Sequence, residues 1–200
     1  LGEALVLAAG GTLLCLLDAE RPVAVGLGAM AIYAAASRLL EPLRAETDNP
    51  SRARVLLRRP MGRVLVAHAL FPGAVVLAAT LAATAALAVA GALPHHGAAV
   101  ALLALAAVPS IVLCAALNSR RGGRLPASVM AATYADVSGM AGGLVVAWIV
   151  AWPVLAAVLG ALPVSVVVRH GIAALPQLAI LLACAPVALT AALGWSRFAP

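Results

Sequence analysis

Charged positions punctuate an otherwise apolar chain and mark where its helices should end. Between Glu3 and Asp18 lie fourteen uncharged residues, Ala4 to Leu17, about 21 Å as helix and too short to cross a membrane alone. Residues upstream of Leu1 are expected to complete this helix. Asp18-Ala19-Glu20-Arg21-Pro22 signals a turn with Pro at a helix start, and Val23 to Leu40 reads as a second span, with Arg38 able to snorkel to the interface. Residues 41 to 63 form the one extended polar stretch, six Arg against three acids. Inside it, Asn49 before Pro50 is a plausible N-cap and Pro60 a stop, so a short surface-lying helix is expected over 50 to 59.

Between Arg63 and Arg120 there is no formal charge, and the run is too long for one span. It breaks at Leu93-Pro94-His95-His96-Gly97, which places a third span near 70 to 92, with a kink expected at Pro72, and a fourth near 98 to 118. Ser119 to Pro126 is a short basic loop, and Ala127 to Ala135 reads as a surface-lying or re-entrant turn of helix. A fifth span follows over 138 to 160 and a sixth over 173 to 194. The expected fold is therefore all-α: a polytopic transmembrane bundle of about six spans, residues 1–200 forming one membrane domain.

Composition strengthens this reading and removes others. At 64% hydrophobic, 10% charged and a mean hydropathy of +1.09, the chain is far from a soluble domain, which runs about 45–50% apolar and about 25% charged. A cytosolic enzyme, a nucleic-acid module and a disulfide-stapled secreted domain are excluded. The net charge of +6 comes from thirteen arginines that read as topology signals beside anionic headgroups, so no nucleic-acid partner is implied. With the 38 to 63 loop cytoplasmic, eleven arginines lie inside and only Arg21 and Arg169 outside. Both ends of the segment are then cytoplasmic in a multi-pass protein of the cell membrane. The chain opens without Met and has no recognisable signal peptide, so it is expected to be a piece of a longer protein.

Few residues offer chemistry. Asp136 is the one acid outside the clear loops; an intramembrane acid is a functional hypothesis by default, but Arg124 upstream and a hydrophobic core that begins near Gly142 favour the interface. His68 reads as a packed histidine, because no acid partner is evident for a proton relay. His95, His96 and His170 could in principle share a metal, but a site needs three or four ligands at defined geometry, and none is expected here. Cys15, Cys114 and Cys184 sit in apolar runs and read as small buried hydrophobes. Gly139 and Gly143 form a GxxxG pair, and Ala78, Ala82 and Ala86 a small-residue stripe, both read as helix-packing faces within the chain. Catalytic motifs are absent, no cofactor is implied, and any ATP-driven step would fall to a separate subunit.

The run Ala36-Ser37-Arg38-Leu39-Leu40-Glu41-Pro42-Leu43-Arg44-Ala45-Glu46-Thr47-Asp48-Asn49-Pro50, followed by Leu56-Leu57-Arg58 and by Gly62-Arg63 to His68, resembles a segment of polytopic actinobacterial membrane proteins. Those are similar to the permease subunits of ABC-2-type exporters. The resemblance covers about thirty residues, and the other spans match only in hydropathy. It implies an exporter subunit, homo- or heterodimeric, whose segment 41–63 couples to an ATPase subunit through Glu41, Arg44, Glu46, Asp48, Arg52, Arg54, Arg58 and Arg59. Arginines that only set topology, or that bind lipid headgroups, are the competing readings of this segment. A secondary transporter and a non-transporting membrane scaffold are the competing readings of the whole chain.

Overall fold

A computed structural model describes residues 1–49, 55, 58, 61–93, 96–120, 130–131 and 140–195. Among them there is no strand. The helices are α1 (Gly2–Leu17), α2 (Pro22–Leu39), α3 (Glu41–Asp48), α4 (Met61–Val89), α5 (Gly97–Arg120), α6 (Met140–His170) and α7 (Leu175–Trp195), with a 3-10 turn at Ile172–Ala174. Five of them, α2 and α4 to α7, are long and apolar enough to cross a membrane; α1 is apolar but shorter. The molecule is a helical bundle of the membrane type.

Several boundaries differ from the sequence reading for identifiable reasons. Helix α4 starts at Met61 and takes Arg63 and His68 into its first turns, because nothing after Pro60 interrupts helical geometry. It runs through Pro72 without a break. At its other end Gly91 adopts φ +63, the Ala92 amide donates to Leu87 O at 3.0 Å and the Gly91 amide to Ala88 O at 3.1 Å. That pairing is a Schellman cap, which needs a left-handed residue where glycine has no Cβ to clash. Helix α6 continues past Gly160 and Pro163 to His170 and is closed by Gly171 at φ +84. Its 31 residues measure about 46 Å, more than a hydrocarbon core of about 30 Å, so it must tilt or project. The polar stretch begins with a helix over Glu41–Asp48 rather than a loop. Asn49 follows it with extended backbone, as an N-cap requires, but the expected helix over 50–59 lies outside the described residues except for Val55 and Arg58.

Helix α5 is the hub. It touches each of the other six helices named above, and most of its surface is buried, whereas α6 and α7 show most of theirs to the surroundings. Close approach elsewhere is set by small residues. A Cβ on Gly28 would lie 2.5 Å from both Gly11 O and Cys15 Sγ, so α1 and α2 meet backbone to backbone. On the other face of α2, a Cβ on Gly160 would lie 2.5 Å from the Ala29 Cβ, and Gly26 faces Ala157 and Ala161 of α6. Without a hydrophobic drive between helices in lipid, such contact faces gain from dispersion and from backbone proximity.

Hydroxyls link the helices where carbonyls would otherwise be satisfied only within one helix. Thr80 donates to Val76 O at 2.9 Å, and its oxygen lies 3.3 Å from the Thr12 hydroxyl, whose one proton is shared between Thr80 Oγ1 on α4 and Ala8 O at 2.8 Å on α1. Ser110 of α5 donates to Leu182 O of α7 at 2.7 Å. The expected alanine stripe is not the packed face of α4. Val76, Ala79, Thr80 and Ala83 are buried, while Ala78, Ala82 and Ala86 are exposed. Of the cysteines, Cys15 and Cys114 are buried as expected, but Cys184 is exposed on the outer face of α7.

Candidate functional site

The end of α2, all of α3, the start of α4 and the end of α5 come together at one end of the bundle. The geometry begins with Leu40, which is both the last cap of α2 and the first cap of α3. Pro42, in the first turn of α3, lacks an amide that would have no intrahelical partner there and pre-sets the helical φ. Leu40 and Leu43 are each 1% exposed, so the turn and the underside of α3 are anchored in the core.

Two polar contacts fasten α3 to separate helices. Thr47 Oγ1 lies 2.9 Å from Arg44 O, 3.1 Å from Leu43 O and 3.3 Å from Ser119 O at the end of α5. Glu46 Oε2 lies 3.4 Å from His68 Nε2 on α4, while His68 Nδ1 lies 2.9 Å from Val64 O. Both ring nitrogens thus face acceptors, one on its own helix and one on α3. The acid partner that the sequence did not reveal for His68 is therefore Glu46, brought to it by the fold rather than by sequence proximity.

The other residues singled out from the sequence divide as follows. Glu41 and Arg44 are exposed on α3 and line a cavity of about 650 Å³ with Arg38. Asp48 ends α3 half-buried, and Arg58 is exposed. Arg52, Arg54, Arg59, Asp136 and Gly139 lie outside the described residues. Gly143 is exposed, and a Cβ built on it would meet nothing within 4 Å, so it makes no close helix contact among the described residues.

Sequence reasoning missed the cavity itself. Its walls include Tyr33 and Ser37 of α2, Asn118 and Ser119 of α5 and Trp148 of α6. The Asn118 amide donates to Tyr33 Oη at 2.7 Å. One signal was available: Tyr33, Ser37, Glu41 and Arg44 recur at i, i+4, i+8 and i+11, a polar stripe running from α2 into α3. Comparison of the chain with known protein families, curated proteins and solved structures gives no match.

Proposed function

We propose that the chain is a permease-like subunit of an ABC-type exporter in the cell membrane. In this reading it crosses the bilayer six times, α1 included, and both ends of the stretch are cytoplasmic. Segment 41–63 is then the docking point for a separate ATPase, which performs all the nucleotide chemistry.

The observation that carries the reading is the fastening of α3. Arginines that only set topology need no fixed geometry. Here a short helix is seated through Leu43, set with Thr47 Oγ1 3.3 Å from a carbonyl of α5 and paired through Glu46 with α4. A push on α3 by a partner would reach three bundle helices at once as a rigid-body displacement. The resemblance of residues 36–50 to ABC-2-type permeases supplies the kind of partner.

The test is co-purification. Arg52→Glu/Arg54→Glu reverses charge on the proposed docking segment while leaving nine of the eleven inward arginines to hold the orientation. The expected result is normal membrane insertion with loss of the bound ATPase in moderate salt. Undiminished ATPase in the same salt would reject the docking role and leave topology as the account of this segment.

A further inference from the structure

The cavity between α2, α5 and α6 is built from three kinds of surface. At its mouth stand Arg38 and Arg44, neither of which forms an ion pair among the described residues, together with the single acid Glu41. The lining therefore carries two formal positive charges against one negative. Deeper in are neutral polar groups: the Tyr33–Asn118 hydrogen-bonded pair and Ser37, whose Oγ is buried without a partner among the described residues. The third surface is apolar, made by Ala34, Ile149 and Pro153.

Ile149 decides what kind of molecule fits. It lines the cavity yet is 60% exposed, so the apolar wall runs on to the outer face of α6, which is long and apolar enough to stand in a bilayer. A cavity open to lipid on one side and to headgroup depth at its arginine mouth does not stay empty in a membrane. Water along Ile149 and Pro153 would lie against an apolar wall, and a hydrocarbon chain beside Arg38 and Arg44 would leave the two guanidinium groups with only Glu41 and interfacial water as acceptors. A molecule with an anionic head and an apolar tail satisfies both surfaces at once.

We propose that this cavity binds the phosphate head of an anionic amphiphile, with Arg38 and Arg44 as charge-assisted donors, Ser37 reaching the head from below, and the tail leaving along Ile149 and Pro153. Guanidinium groups match phosphate oxygens in geometry as well as charge. The net single positive charge of the lining fits a phosphodiester monoanion. Glu41 and Arg44 also lie in the segment proposed to dock the ATPase, but that test reverses only Arg52 and Arg54, so the two readings fail separately.

The experiment uses the protein in non-ionic detergent with Trp152→Phe and Trp195→Phe, so that Trp148 reports on the cavity. Phosphatidylglycerol, phosphatidylcholine and inorganic phosphate are titrated separately. Phosphatidylglycerol should change Trp148 emission saturably and phosphatidylcholine should not. Arg38→Gln/Arg44→Gln should weaken the phosphatidylglycerol response at least about tenfold, and Arg44→Gln alone, on an exposed face, should weaken it in the same direction. Arg63→Gln, at the same end but outside the cavity, should leave it unchanged. Competition by inorganic phosphate would mean that the head alone is read; lack of competition would mean that the lipid tail is required. Equal responses to the two lipids, or undiminished phosphatidylglycerol binding in both arginine variants with native helicity, would overturn the assignment.

Discussion

Glycine has opposite meanings at different points of this chain, and the difference is one of surroundings. Gly28 has Gly11 O and Cys15 Sγ 2.5 Å from where its Cβ would be, and Gly143 has nothing within 4 Å. Gly28→Val must therefore separate α1 from α2 and is expected to destabilise the bundle by about 1–3 kcal/mol or more. Gly143→Ala should leave stability unchanged or raise it by up to about 1 kcal/mol. Thermal unfolding of the two variants in detergent reads the contrast, and equal melting temperatures would show that α1 and α2 do not meet at Gly28. The sequence pointed to Gly139 and Gly143 because motif spacing is visible in one helix. The face that packs depends on what the neighbouring helix presents, and no single-helix pattern contains that.

The same division holds for helices. Apolar runs long enough to span were legible because bilayer thickness fixes their length, and turn glycines and prolines placed α2, α5 and α7 within a few residues. The extensions of α4 to Met61 and of α6 to His170 were not legible. The charge at Arg63 was read as a break, yet Arg63 tolerates a helix end at headgroup depth, and α6 runs on past the expected end at 160 with Pro163 inside it. Helix α3 was hidden by its charge, because its one buried anchor, Leu43, becomes visible only when the bundle is assembled. Leu43→Ala removes that anchor at a cost of about 2–5 kcal/mol and should undock α3, with faster tryptic cleavage after Arg44 as the readout. Glu46→Gln should do much less, about 1 kcal/mol at most, because the Glu46 and His68 side chains are 38% and 27% exposed. If Leu43→Ala and the parent protein are cut at equal rates, α3 is not seated through this residue.

For the whole molecule, the described arginines are divided unevenly between the ends of the bundle. Arg38, Arg44 and Arg63 gather with α3, Glu41, Glu46 and His68 at one end, and Arg21, 3.5 Å from Asp18, marks the other. If the arginine-rich end is cytoplasmic, a cysteine-free protein carrying His96→Cys should be labelled by an impermeant maleimide in intact cells, and one carrying Arg54→Cys should not. Labelling at position 54 alone would invert the bundle. The shared cap at Leu40 then has a mechanical consequence. Helices α2 and α3 meet at a single residue with no slack between them, forming a bell crank with arms of about 27 Å and about 12 Å. Turning the short arm about that pivot swings the far end of the long one through about twice the distance, so an ångström of travel at Asp48 becomes about two near Pro22, on the opposite side of the bundle.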